Sequence, residues 1–128
     1  MARKFTYKGK SVEELQKLSH DEFVKMLPSK LRRSMRRGSV PVKKFMEKFR
    51  KRKGKGKPIK THVRQMPILP EMIGQHFKIY NGKDFVDFIP TPESLGHRLG
   101  EFSIPIKQVK HSGPGIGATR GSKAIELK

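Results

Sequence analysis

Several residue types are missing or scarce in this chain, and each absence narrows the possible functions. The 128 residues include no cysteine, no tryptophan, only 2 tyrosines, and 11 Asp and Glu against 30 Lys and Arg. Without cysteine there are no disulfides and no thiolate zinc sites, which suits a reducing interior. No stretch approaches the roughly 18 apolar residues of a membrane span, and no apolar run follows the basic start. We therefore expect a soluble, cytoplasmic protein.

The positive charge that is present is concentrated in the amino-terminal half. Residues 1–60 contain 21 Lys and Arg with 5 Asp and Glu, whereas residues 61–128 contain 9 and 6. The imbalance peaks over residues 29–60, where 15 basic residues accompany a single acid, Glu47. Basic side chains at this density repel one another unless a polyanion neutralises them, and nucleic acid is the leading candidate. With 34% hydrophobic residues, part of the chain is expected to need that partner to become ordered.

The amino-terminal region carries the signals of consecutive short helices. Ser11–Glu14 and Ser19–Glu22 match the capping-box pattern, so helices are predicted over residues 11–18 and 20–27. A third helix is predicted from a Ser29 cap through Arg37, with Gly38 as its stop.

A fourth helix is predicted from Pro41, with one apolar stripe on an otherwise basic surface. The stripe, at positions i, i+3, i+4 and i+7, consists of Val42, Phe45, Met46 and Phe49. One helix could thus seal a small core and also face a phosphate backbone. A flexible cationic linker follows at residues 53–58.

Beyond Pro58 the sequence becomes typical of short strands and turns. We predict a short strand over residues 59–65, an extended connector at 67–70 and a turn at 71–74. Residues 77–80 and 83–89 are predicted to form a hairpin joined by Asn81-Gly82 in a type I′ turn. A short helix at 94–100 would place Leu95 and Leu99 on one side. These differences in composition and predicted structure divide the chain into a basic helical extension (1–57), a compact core (58–106) and an extended tail (107–128).

The sequence gives little support for catalysis, and no cofactor or metal is expected. The five histidines are scattered without metal-ligand spacing. His97 and Glu101 lie four apart, but a surface or RNA-facing pair is favoured over an acid–base pair. Asp84 and Asp87 would point to opposite faces of a strand. The Gly-rich segment 113–121 lacks the Lys-Ser/Thr of a phosphate-binding loop.

Four motifs in the carboxyl-side half resemble one known family in both order and spacing. They are THVR at 61–64, LPEMIG at 69–74, YNGK at 80–83 and LGHRLGEF at 95–102. Together they are similar to the S19 family of small-subunit ribosomal proteins. The motifs VKH at 109–111 and PGIGAT at 114–119, with the helical extension, resemble the archaeal and eukaryotic branch. Pro90 and Pro105 depart from the family pattern, so the second hairpin strand should end by Ile89 and no strand should pair through 105.

The resemblance implies a fold and a set of partners. The fold would be α+β, with a small three-stranded mixed or antiparallel sheet, a β-hairpin and short helices, between the basic extension and the tail. The protein would bind the 3′ major domain of small-subunit rRNA in the head and lie beside the head protein numbered thirteen. It would approach the large subunit at a bridge, with its tail toward the decoding region and tRNA.

Charge and resemblance together nominate the rRNA-binding residues. Those nominated by charge are Arg32, Arg33, Arg36, Arg37, Lys43, Lys44, Lys48, Arg50, Lys51, Arg52, Lys53, Lys55, Lys57, Lys60, Lys107, Lys110, His111 and Arg120. Those carried over from the matched motifs are Thr61, His62, Arg64, Asn81, Gly82, Lys83, His97 and Arg98. With few aromatic residues, recognition is expected to rely on RNA shape and backbone, and base stacking to be minor.

Two other classes of binding protein remain open. An architectural DNA-binding protein would use the same charge, although no recognition helix or minor-groove wedge can be named. A membrane-surface protein could use the helix at 42–53, although its apolar stripe is narrow and lacks tryptophan.

Overall fold

The computed structural model describes residues 5–108 as four short α-helices, five β-strands and three short 3₁₀ helices. The α-helices are α1 (Val12–Lys17), α2 (His20–Met26), α3 (Ser29–Arg37) and α4 (Val40–Arg52). The strands are β1 (Thr6–Tyr7), β2 (Lys10–Ser11), β3 (Ile59–Thr61), β4 (Phe77–Tyr80) and β5 (Phe85–Phe88). The 3₁₀ helices are Pro70–Met72, Pro92–Ser94 and Leu99–Phe102. The α+β class is confirmed.

Both predicted capping boxes are present. The Ser11 N–H donates to the Glu14 carboxylate at 3.0 Å, and the Ser11 hydroxyl accepts from the Glu14 N–H at 3.4 Å. Ser19 and Glu22 repeat these two contacts at the same distances. Each box satisfies two backbone donors that the first helical turn leaves open, which fixes where α1 and α2 begin.

Helix α3 ends as predicted but begins differently. Gly38 adopts a left-handed φ of 52°, and its N–H donates to the Ser34 carbonyl, which terminates the helix. Ser29 was expected to be the cap, and that prediction is wrong because Ser29 is already helical and Pro28 occupies the cap position without a side-chain bond. Proline fixes an extended approach to the helix and needs no capping hydroxyl to do so.

Helix α4 connects the helical region to the sheet. Its predicted stripe is buried, and Phe49 is completely inaccessible. The Phe49 ring stacks on Phe77 of β4 at 6.0 Å between centroids, and Phe45 lies 6.3 Å from the same ring. Residues on both sides of the predicted boundary at 57/58 therefore share one hydrophobic core.

The three-stranded sheet is mixed, in the order β3-β4-β5. Strands β3 and β4 are parallel, with Ile59 opposite Phe77, whereas β4 and β5 are antiparallel, with Tyr80 opposite Phe85. Side chains alternate between the faces of each strand, so Ile59, Phe77 and Ile79 pack into the core. The intervening positions form an outer face. A second, unpredicted sheet pairs β1 with β2 around Lys8 and Gly9, both at positive φ.

The hairpin occurs where it was predicted, but its turn is different. The loop spans four residues, Asn81 to Asp84, and of these only Gly82 has a positive φ. The Asn81 side-chain oxygen accepts from the Lys83 and Asp84 N–H groups at 3.0 and 2.7 Å. The type I′ prediction is wrong because the asparagine side chain organises the loop, an alternative that Asn-Gly also allows.

Two further elements are shorter than predicted. Strand β3 stops at Thr61, whose hydroxyl accepts the Val63 N–H at 3.0 Å and turns the chain. The predicted helix at 94–100 is absent, since Gly96 (φ 78°) separates two 3₁₀ helices. Leu95 and Leu99 are nevertheless buried.

The predictions drawn from the two prolines agree with the structure. Strand β5 ends at Phe88, before Pro90, and residues 104–108 form no strand within the described segment. The predicted extended tail lies outside the described residues except at 107 and 108.

Candidate nucleic-acid interface

Helix α3 presents most of its arginines to solvent. Arg33, Arg36 and Arg37 are exposed, while Leu31 anchors the helix in the core. Arg32 is half-buried, and its guanidinium donates to the Lys25 carbonyl at 3.3 Å. The last turn of α3 thus carries two exposed cations, where the helix dipole favours positive charge.

Helix α4 and the loop after it continue this cationic surface. The exposed basic residues are Lys43, Lys44, Lys48, Arg50, Lys51, Arg52, Lys53, Lys55 and Lys57. Lys53 lies 3.9 Å from the Glu71 carboxylate. Within the part of the chain that the structure describes, no salt bridge involves a basic residue of α3 or α4. We call the exposed basic residues of α3 and α4 the cationic surface, and its charge is available to a polyanion.

The burial of the α4 stripe bears on the membrane alternative. Val42, Phe45, Met46 and Phe49 face the core and not solvent. An interfacial helix needs an apolar face free to enter lipid, and α4 does not offer one. Separately, no helix among the described residues is long and apolar enough to span a bilayer.

A groove of about 280 Å³ opens between α4 and the edge of β3. Its lining combines apolar Phe45 and Val63 with exposed Lys44, Lys48, Lys60 and His62. The Lys48 ammonium donates to the Lys60 carbonyl at 2.9 Å, which ties the helix to the open strand edge. No acidic residue lines this groove.

Three rings contact one another on the outer face of the sheet, with all three centroid distances between 4.6 and 5.3 Å. His62 follows β3, Tyr80 ends β4 and Phe85 begins β5, so the strand register brings them to one level. The His62 centroid is 4.6 Å from Tyr80 and 5.2 Å from Phe85. The Lys60 ammonium lies over Phe85 at 5.6 Å. We call His62, Tyr80 and Phe85 the aromatic row.

Sequence reasoning nominated His62 but missed the other two members of the row. Tyr80 and Phe85 flank the hairpin loop, and a four-residue loop pairs them directly. The assumed two-residue turn would have placed Lys83 opposite Tyr80. The aromatic row was missed because the length of the hairpin turn was predicted wrongly.

Two residues nominated from the family motifs serve the fold itself. The half-buried Arg64 guanidinium donates to the carbonyls of Tyr80 at 2.6 Å, Gly100 at 2.8 Å and Ser103 at 2.6 Å. Thr61 is 5% exposed, and its hydroxyl is engaged by Val63. Both side chains are thus engaged in hydrogen bonds within the fold.

The remaining nominated residues are spread over the carboxyl-side surface. Lys83 and Gly82 are exposed at the hairpin loop, where Asn81 is half-buried. His97 Nδ1 lies 2.7 Å from Glu101, and both side chains are about half exposed, at 55% and 50%. Arg98 lines a shallow depression with Arg64 and Glu101.

The outer sheet face has one acidic side chain whose charge is locally neutralised. Asp87 accepts from His76 at 2.7 Å and lies 3.3 Å from the Lys78 ammonium. The hydrogen bond from His76, assisted by Lys78, holds the pKa of the Asp87 carboxyl below its usual range. Asp87 therefore adds little repulsion toward an approaching phosphate.

Lys107 is exposed at the end of the described segment. Lys110, His111 and Arg120 lie outside the described residues. Over 5–108, no group of three or more His, Asp or Glu side chains could hold a metal ion.

Comparison with known proteins extends these observations. Residues 33–111 match the family model described as ribosomal protein S19. A protein of Metallosphaera sedula named small ribosomal subunit protein uS19 is 53% identical over 98% of this chain and 93% of its own length. Proteins of the same name from Saccharolobus solfataricus and Thermoplasma acidophilum are 51% and 48% identical. These cover 98% and 99% of this chain, and 93% and 83% of their own lengths.

Proposed function

Because the chain belongs to the ribosomal protein S19 family, we propose that it binds small-subunit rRNA through the cationic surface of α3 and α4. Members of this family are structural, non-enzymatic components of the small ribosomal subunit. The chain is accordingly a ribosomal protein, and its chemistry is recognition without catalysis.

The observation that carries the proposal is the unpaired charge of two adjacent helices. Arg33, Arg36 and Arg37 of α3 are exposed, as is the basic face of α4, and no described carboxylate pairs with them. Neutralising phosphates with such cations releases condensed counterions, which supplies most of the affinity of nucleic-acid binding. The buried stripe of α4 holds these cations on a fixed scaffold.

The sheet module would then set the docking pose. Its outer face carries the aromatic row and its β3 edge borders the groove beside α4, so RNA can be recognised here by shape. The family resemblance supports a more specific position in the head, on the 3′ major domain beside the protein numbered thirteen. The tail would extend toward the decoding region, tRNA and an intersubunit bridge.

Salt dependence tests the electrostatic mechanism. If about eight phosphates are neutralised, the slope of log affinity against log salt should be about −6 to −7. The measurement is filter binding of the full chain to a transcript of the 3′ major domain over a potassium chloride series. A slope near zero contradicts the proposal, and equal competition by duplex DNA would favour the architectural DNA-binding alternative.

A matched pair of variants tests which cations are responsible. Replacing Arg36 and Arg37 together by Gln should weaken binding and reduce the slope by about two, because each phosphate contact contributes about one. Replacing Lys17 and Lys25 by Gln removes the same charge from the last turns of α1 and α2. Identical effects from both pairs would show that only net charge matters, and would contradict a defined surface.

A further inference from the structure

We infer that the groove between α4 and β3 binds one unpaired nucleotide of the RNA strand, with its base stacked on the His62 ring. The nucleotide's phosphate would lie among the ammonium groups of Lys44, Lys48 and Lys60. This inference rests on the proposed rRNA binding and deepens it, because it assigns a contact with an RNA base to a surface otherwise described by charge.

The His62 ring is both exposed and held in place. Its centroid lies 4.6 Å from that of Tyr80 in a tilted arrangement and 5.2 Å from that of Phe85 in an edge-to-face arrangement. Tyr80 is itself fixed, because its hydroxyl donates to the Gly82 carbonyl at 2.6 Å and its own carbonyl accepts from Arg64. A ring that is already immobilised loses little conformational freedom when a base stacks on it.

The groove offers the chemistry of a nucleotide in one place. A nucleotide joins a flat π-system to an anion, and the groove joins an imidazole and the apolar Phe45 and Val63 to three lysines. Its volume of about 280 Å³ is at the small end for ligand sites, which suits one nucleotide and excludes a duplex. Among the described residues, no side chain that lines the groove is acidic, so none of them repels a phosphate.

The groove offers different places for the base and for the phosphate of the nucleotide. Lys48 is tied to the Lys60 carbonyl at 2.9 Å, and the Lys60 ammonium reaches over the Phe85 ring. Lys44 and Lys48 therefore lie on the helix side of the groove, while the Lys60 ammonium and the imidazole lie over the outer face of the sheet. A base that leaves its own helix can stack at one end while its backbone follows the lysines.

The decisive experiment compares two replacements of His62 in the full chain, measured against the 3′ major domain transcript. His62→Leu removes the ring, and His62→Phe retains one. Leu should weaken binding roughly 5- to 150-fold, the range expected for one base–aromatic stack, and Phe should restore most of it. Because His62 packs against Tyr80 and Phe85, the thermal unfolding midpoint of each variant is also measured, and affinities are compared at a temperature at which all three proteins are folded.

The salt series distinguishes stacking from charge. His62→Leu should displace the log–log line downward without changing its slope, whereas Lys60→Gln should reduce the slope by about one. Crosslinking with short-wave ultraviolet light should attach the peptide containing His62 to a base in a single-stranded region of the transcript. Unchanged affinity for His62→Leu, or failure of Phe to restore what Leu removes, would overturn the inference.

Failure of this inference can be told apart from failure of the proposed function. If wild-type binding remains steeply salt-dependent and sensitive to Arg36 and Arg37 while His62→Leu binds normally, only the nucleotide site is refuted. If the wild-type chain does not bind the transcript at all, both are refuted.

Discussion

The family motifs nominate Arg64 as an RNA contact, whereas its hydrogen bonds indicate a structural role. Replacing Arg64 by lysine distinguishes these two roles. The guanidinium joins three segments, since it donates to carbonyls at the end of β4 (Tyr80), at Gly100 and at Ser103. Lysine keeps the charge but is a compact ammonium that cannot reproduce this planar fork.

The expected loss of stability follows from the hydrogen bonds of Arg64 that lysine cannot form. A hydrogen bond from a charged donor contributes about 1.5–3 kcal/mol, and partial exposure of Arg64 places these bonds at the low end. Lysine can retain one of the three, so Arg64→Lys should lower the free energy of unfolding by about 3 kcal/mol. This is a large part of the roughly 5–15 kcal/mol that stabilises a small domain.

The assay is urea unfolding of the free chain followed by far-ultraviolet circular dichroism. The control is Arg36→Lys, at an exposed position on α3, which should stay within about 0.5 kcal/mol of wild type. Below its unfolding transition, Arg64→Lys should bind RNA with nearly wild-type affinity. Wild-type stability combined with lost RNA affinity would refute the structural role.

Three further perturbations test the core, a helix cap and a close backbone approach. Phe49→Ala should cost about 3–5 kcal/mol in urea unfolding, because a fully buried ring leaves a cavity. The Ser19 N–H bond lowers the pKa of Glu22 from its ordinary 4.5, so this bond stabilises the fold above pH 4.5 and is lost as the pH falls below it. Glu22→Gln should therefore be destabilising at neutral pH and match wild type in acid, as thermal unfolding at both pH values will show. Gly100→Ala would place a Cβ 2.9 Å from that of Arg64 and should lower the free energy of unfolding by about 1–3 kcal/mol, measured in urea.

The elements that the sequence predicted well are those specified by neighbouring residues. The two capping boxes and the glycine stop after α3 each involve groups within four residues of one another, so local patterns suffice. The buried stripe of α4 also follows from periodicity, because one face of a basic helix must be covered for the helix to be stable.

The features that were missed depend on contacts between distant residues. The three carbonyls that Arg64 binds are 16, 36 and 39 residues away, so no local pattern distinguishes it from an exposed arginine. The aromatic row depends on strand register, and the register depended on a turn for which Asn-Gly permits more than one geometry. Gly96 broke a helix whose leucine spacing was otherwise favourable.

If the cationic surface binds rRNA as proposed, helix α4 makes folding and RNA binding parts of a single equilibrium. The helical turns of α4 that insert Phe45 and Phe49 beneath the sheet also hold its lysines outward. Unfolding of α4 would therefore disrupt the cationic surface as well as the core packing. RNA that binds only the folded form raises the apparent stability by mass action, and it also relieves the mutual repulsion of the cations. On this proposal, a destabilising substitution in the core, far from the cationic surface, would also lower the amount of RNA-bound protein.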